Sequence, residues 1–501
     1  MKGTLEACVP TDLRRGLNMH RVFFAIFLAM ILTGCAGQRS VRADLVLVNG
    51  KVWTVDKSET ETQAVAVWQG RILAVGTNEE IRALAGDQTT VIDLQGKLVL
   101  PGFNDNHTHF LSGGFELAGV QLKDAKNEEE FGERLAAKSK AMPPGRWITG
   151  GTWDHDNWPG GNLPTAELID RFVSDRPVFV TRYDGHMSVA NSVALKLAGV
   201  TASTADPPGG VIVRKSGSRE PAGVLKDTAQ ALVQRVIPPP TEDEMRQAIE
   251  AALAEARRLG VTSFTDMNLD PATLRIYQRL LSEGKLTARV DGRWALERWK
   301  ELADLGVMKN FENQHWIKIG GLKAFVDGSL GSSTALFFDP YVQDPTTRGI
   351  YLTAPEDLER NIVAADKAGL HIAIHAIGDK ANSDLLDMFA KAILQNGSGE
   401  RRFRIEHAQH IHPKDFKRFA ELGVIASVQP YHAIDDGRWA EKRIGHERCK
   451  TTYPFRTFLD SGVKMCFGSD WTVAPLNPIL GIDAAVTRRT TDGANPNGWF
   501  P

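Results

Sequence analysis

Two histidines one residue apart, His107 and His109, end the segment PGFNDNHTH, and in extended chain such a pair points both imidazoles to the same side. More candidate donors recur where apolar segments end: His375 in HIAIHAIGD, His407 after Glu406 in RFRIEHAQ, and Asp470 in Gly468-Ser469-Asp470. Singly, each is more often a structural residue than a ligand, and an H-x-H pair alone is more often a surface or satisfied core pair. Together, four imidazoles and a carboxylate offer the nitrogen and oxygen donors that suit zinc or a similar divalent ion, provided one fold gathers them. Thiolates take no part, because Cys8, Cys35, Cys449 and Cys466 are too few and too scattered for a disulfide framework or a cysteine zinc site.

The elements that must position these donors follow from the apolar pattern. Strands are predicted over residues 98–105, 261–267, 288–294, 317–328, 371–379, 402–409, 424–430 and 463–470, with helix-periodic stretches such as EDEMRQAIEAALAEARRLG and PEDLERNIVAADKAG between them. Eight strands alternating with helices predict an α/β fold, a (β/α)8 TIM-like barrel. In such a barrel the reactive groups gather at the C-terminal ends of the strands, where the donors above fall. The interval from about residue 112 to 258 is too long for one crossover helix and predicts an inserted subdomain after the first strand. Ahead of the barrel, residues 44–97 carry short alternating segments with Asn49-Gly50 and Gln69-Gly70 at turn positions, a small β module. The barrel with its insertion is assigned to 98–501.

Composition narrows the function. With 42% hydrophobic and 24% charged residues, the 501-residue chain has the make-up of a globular protein with large cores, not of a disordered or polytopic one. Its 59 basic residues against 61 acidic ones give a net charge of −2 and no field for collecting nucleic acid, and no basic patch with interleaved aromatics is present.

At the N-terminus, residues 22–33 (VFFAIFLAMILT) are shorter than the roughly 20 apolar residues that span a bilayer. Basic residues precede the run, and it ends in Leu32-Thr33-Gly34-Cys35, the layout of a signal peptide. The stretch resembles the bacterial lipobox, which implies a signal over 1–35, a lipid on Cys35 and a soluble body in the cell envelope; a plain secretory signal or a buried helix is the alternative. Ala36 after the cysteine implies the outer membrane, facing the periplasm. Translation is expected to start at Met19, whose Met19-His20-Arg21 is the more typical signal start.

The stretches PGFNDNHTH, GGLKAFVDGSLGSSTA, HAIGDKA, RIEHAQ and GSDW together resemble the amidohydrolase superfamily, in its amidohydrolase-3 branch close to N-substituted formamide deformylases, from about Asp44 onward. The resemblance implies one or two divalent metals, zinc foremost, held by His107, His109, His375, His407 and Asp470. It also implies a carbamate, derived from carbon dioxide, on the lysine that matches Lys323. A bare ammonium has no lone pair, so that reading requires Lys323 to be deprotonated by burial; an outward or ion-paired Lys323, with Lys318 facing inward, is the alternative. In the implied chemistry a divalent ion activates water and polarises a carbonyl, while Asp470 carries the water proton to the leaving amine. His186 matches a histidine that faces substrate in the family, although a plain loop histidine fits equally. Trp153, His155 and Trp158 form either a lid or the core of the insertion. Asp327, Gly328 and Ser329 are expected at the rim of the site, Asp379 as a helix cap, and His410, His412 and His432 in structural roles. The family's closing β strands have no counterpart before Pro501, so either the sequence is a fragment or the N-terminal module lacks its partners and exposes sheet edges.

The expectation is a metal-dependent hydrolase of carbon–nitrogen bonds other than peptide bonds, acting on a small-molecule amide. Nucleic acid is not an expected partner, and the membrane is one only through Cys35; the pattern carries no oligomeric state. The same site acting on a lactone, carbamate or phosphoester, and a non-catalytic ligand-binding lipoprotein or inactive relative, are the alternatives.

Overall fold

The computed structural model describes residues 41–500 apart from 59, 156–157, 183–186, 208–209, 307–314 and 332. The expected signal segment with Cys35, and His186, lie outside the described residues. The chain divides into two compact units between Pro101 and Gly102. No helix among the described residues is long and apolar enough to cross a membrane.

The first unit is built from two small sheets. In one, Leu45–Val48 pairs antiparallel with Ala64–Trp68 and parallel with Thr90–Asp93, and Arg71–Gly76 lies at the other edge. Alternation buries Val46 and Val48 against Ala64, Ala66 and Ile81, while Ile72, Val91 and Ile92 on the edge strands are exposed. The second sheet joins Glu61–Thr62, Lys51–Trp53 and Leu98–Val99. Leu98–Val99 therefore belongs to this unit and does not begin the strand expected over 98–105. Pro101 separates the two, since it has no N–H with which to continue a ladder.

The second unit holds one parallel eight-stranded sheet in sequential order, the barrel. Its strands are β1 (Phe103–Thr108), β2 (Val261–Asp266), β3 (Arg289–Ala295), β4 (Ile317–Phe325), β5 (His371–Ala376), β6 (Arg404–His407), β7 (Ile425–Val428) and β8 (Met465–Phe467). The seam between β8 and β1 closes just past the strand ends. There the Asp470 N–H donates to His107 O (2.8 Å) and the His109 N–H donates to Trp471 O (2.7 Å). Outward side chains such as Phe264, Leu322, Ile374, Ile405 and Val428 pack under the surrounding helices and form the main core. Inward, the lower barrel is polar: Arg404 of β6 donates to Asn106 O (2.8 Å) and Ser427 Oγ (3.0 Å).

The helices follow their sequence signals. Glu242–Arg258 starts in a capping box of Thr241 and Glu244, and Pro271–Ser282 starts after an Asp270 cap with proline in its first turn. Glu242–Arg258 crosses Phe110–Ala118 so closely that a Cβ on Gly114 would stand 2.1 Å from Ala248 O. Between these two helices lies the insertion, centred on a five-stranded sheet with cores of its own. Trp153 and Trp158 are buried there and donate to Val180 O and Ala125 O, so both belong to the subdomain core.

Candidate metal centre

The site is assembled where five strands end. His107 lies inside β1, and His109 is the first residue beyond it. Lys323 projects from β4, His375 from β5 and His407 from the last position of β6, while Asp470 follows β8 across the seam. His107, Lys323, His375, His407 and Asp470 are all buried, and His109 is partly exposed.

The distances bring the six together. His107, His407 and Asp470 each offer a ligand atom, all within 4.8 Å of one another. Asp470 Oδ1 stands 3.1 Å from His109 Nε2 and 3.5 Å from His107 Nε2, and Lys323 Nζ is 3.4 Å from His107 Nε2. The His375 and His407 ring centres are 4.5 Å apart. Lys318 shares that face in register but lies at the opposite end of β4 and is half-buried, so the lysine at the cluster is Lys323.

The donor set fits a divalent cation on an observation of the molecule itself. Asp470 Oδ1 is buried and makes no hydrogen bond, although two imidazole nitrogens stand within 3.5 Å of it. Donor atoms of His107, His407 and Asp470 gathered within 4.8 Å of one another can serve one coordination sphere. Leaving such a carboxylate oxygen bare would otherwise cost roughly 1–3 kcal/mol or more.

Each ring is oriented from behind. His107 Nδ1 lies 2.7 Å from Glu406 Oε2, and Glu406 Oε1 lies 2.7 Å from the Arg404 guanidinium. His407 Nδ1 is 2.8 Å from Gln429 Oε1, and His109 Nδ1 meets Asn268 Oδ1. His375 Nε2 is 3.1 Å from Gly328 O, which leaves its Nδ1 for the site. Partners that hold one ring nitrogen fix the tautomer and free the other as a ligand. Glu406, Gln429 and Asn268 were not singled out in the sequence; each lies at the end of a barrel strand or just past it, the position where such partners gather.

Electrostatics agree with metal binding. Burial lowers His107 to about 4 and His375 to about 3, and it pushes His407 well below its ordinary value, so these rings are neutral near pH 7 with lone pairs available. For Asp470 burial works the other way, yet His107, His109 and His407 hold its carboxyl well below the usual range. Burial brings Lys323 down to about 8 against the attraction of Glu406 and Asp470. His407 (φ 73°), Ala408 (φ 42°) and Asp470 (φ 58°) adopt the left-handed region that non-glycine residues avoid, at a cost of order 1 kcal/mol or more each. Two of the three are ligand candidates, so the surrounding fold holds them in place against local preference.

Other expected residues have structural roles. Asp327 is fully buried and accepts the N–H groups of Leu336, Ile377 and Gly378, which ties the loop after β4 to the end of β5. Asp379 does not cap its helix; it occupies the first helical position and accepts the Phe338 N–H. His410 bonds Thr452, and His412 caps a short 3-10 turn. His432, expected in a structural role, lies 3.9 Å from Asp470 Oδ2, just past β7. Its position after a barrel strand end was the signal in the sequence.

Residues 90–499 match the protein family described as the amidohydrolase family. The chain is 41% identical over 457 residues to Protein LONG AFTER FAR-RED 3 of Arabidopsis thaliana, covering 89% of this chain and 78% of that protein. It is 27% identical over 467 residues to the N-substituted formamide deformylase of Arthrobacter pascens, covering 90% and 85%. Among solved structures it resembles an uncharacterized metal-dependent hydrolase from Pyrococcus furiosus, with a TM-score of 0.75, 32% identity and 90% of each chain covered.

Proposed function

The chain belongs to the amidohydrolase family, and from that premise we propose that it hydrolyses carbon–nitrogen bonds other than peptide bonds in small amides. The observation that carries the proposal is the gathering of His107, His109 and His407 about Asp470, whose Oδ1 is unpaired, with the His375 ring against that of His407. The likeness to a formamide deformylase favours an amide over a lactone or phosphoester. These five side chains, with Lys323 between His107 and β5, would hold one or two divalent ions, zinc foremost. A bound ion supplies Lewis acidity, activating water and polarising a carbonyl.

The chain's own residues do the rest. Asp470 is ionised near pH 7, so its carboxylate can take a proton from water and return it to the nitrogen of the leaving amine. Lys323, brought down to about 8, is neutral in an appreciable fraction near pH 7. A neutral Nζ can add carbon dioxide, forming an N–C bond and releasing one proton, and the resulting carbamate carries the oxygens that an ammonium lacks. His186 is assigned to the substrate side by family resemblance, and Cys35 to a lipid anchor that keeps the protein at the cell envelope.

The test is metal per chain by plasma mass spectrometry, with turnover of an N-substituted formamide panel, on the protein and on Lys323→Ala. About two ions, falling in the variant, with formamide cleavage in the parent, is the expected result. A folded parent with no metal would overturn the proposal. For the anchor, Cys35→Ser should move the protein from the membrane fraction to the soluble one; no change in fractionation rejects it.

A further inference from the structure

Every ligand candidate comes from β1, β4, β5, β6 or β8, and β7 supplies none, yet the chain leaving β7 runs directly past the site. Gln429 at its end holds His407, and three residues on, in the helix Pro430–Asp436, His432 turns back toward Asp470. His432 is 8% exposed, and its ring lies nearly parallel to that of His407, 6.3 Å away. Its Nδ1 is 3.4 Å from the side-chain nitrogen of Gln409, itself buried. Its Nε2 has no hydrogen-bond partner among the described residues.

The 3.9 Å between His432 Nε2 and Asp470 Oδ2 is too long for a hydrogen bond. A buried polar atom without a partner is a standing cost, and native proteins keep few of them. Here the group faces the carboxylate beside which a scissile bond must lie. With Gln409 donating to Nδ1, the ring proton sits on Nε2 and is directed at an acceptor beyond the protein's own atoms.

We propose that His432 is a substrate-binding residue of this site, with Nε2–H donating to the acyl oxygen of an amide held beside Asp470, and with Gln409 as the positioning residue that sets its tautomer. The proposal rests on the hydrolase reading above and deepens it. It assigns the β7 side of the mouth to the acyl group.

The probe is acetohydroxamate, a small carbonyl compound that chelates metal, titrated into the zinc-loaded full chain by calorimetry alongside His432→Leu, His432→Gln and Gln409→Leu. All four proteins should carry the same metal per chain. His432→Leu should bind the probe about tenfold more weakly, as expected when one buried hydrogen bond is lost. His432→Gln, which keeps an amide donor, should fall between the two, and Gln409→Leu should also weaken binding. Equal affinity in a folded, metal-loaded His432→Leu would overturn the proposal; should that variant not fold, equal affinity in His432→Gln and Gln409→Leu would do so. Loss of metal from His432→Gln would make His432 a ligand instead and also overturn it. A folded parent that takes up no zinc would instead reject the hydrolase reading itself, and this proposal with it.

Discussion

Glu406 decides how well His107 serves as a ligand. Both side chains are fully buried, 2.7 Å apart, with Arg404 on the far side of the carboxylate. Burial would push Glu406 up, but Arg404 and His107 hold it well below the usual carboxylate range, so it stays charged and draws the His107 proton to Nδ1. Glu406→Gln keeps the shape and removes the charge. It should weaken metal affinity by about 10–100-fold while leaving the far-UV circular dichroism unchanged, as read by competition with a chromophoric chelator. Lys323 sets a pH dependence at the same scale. Its amine is protonated below about 8 and neutral above it, and only the neutral amine adds carbon dioxide. Metal uptake that responds to bicarbonate should therefore increase as pH is raised through 8, and should be absent in Lys323→Ala.

Among the elements, the connection from β4 to β5 depends on one carboxylate. Asp327 collects three backbone N–H groups from two segments far apart in sequence, and one of those segments directly follows His375. A Cβ on Gly378 would lie 2.0 Å from Leu336 O, so the two segments are already in backbone contact and leave no room for another side chain to replace that clamp. Asp327→Ala would orphan all three donors, at roughly 1–3 kcal/mol each. The expected outcome is a clear drop in the urea midpoint together with reduced metal content, since His375 loses its support. An unchanged midpoint would show that water replaces the carboxylate freely.

For the whole molecule, the barrel closes at the place where the ligands meet. The seam bonds between His107, His109, Asp470 and Trp471 join the first strand to the last, and all of these but Trp471 carry donors. An ion bound across that seam links the two ends of the barrel and is absent from the unfolded chain, so binding must stabilise the fold. At an ion concentration about 100 times the dissociation constant the gain is about 2.7 kcal/mol. Dialysis against a chelator should therefore lower the Tm by several degrees, and stoichiometric zinc should restore it. A Tm indifferent to chelation would mean that the seam holds without an ion.

Local spacing was enough to read the eight strands, the insertion and the positions of His107, His109, His375, His407 and Asp470 at strand ends, because apolar periodicity and donor type are properties of short segments. The start of the barrel was not legible: LVLPGFND reads as one strand, and only pairing assigns Leu98–Val99 to the first unit and Phe103 to the second. Nor was the choice between Lys323 and Lys318, since a register shift between β3 and β4 puts both on one face and only the end of the strand that meets His107 picks Lys323. Sequence alone placed His432 among the structural histidines, while the fold sets it beside Asp470, thirty-eight residues further along the chain. The physical reason is common to all three. Sequence determines which side chains share a face of one strand, whereas which strands become neighbours, in what register and around which closed seam, is decided only when the barrel forms.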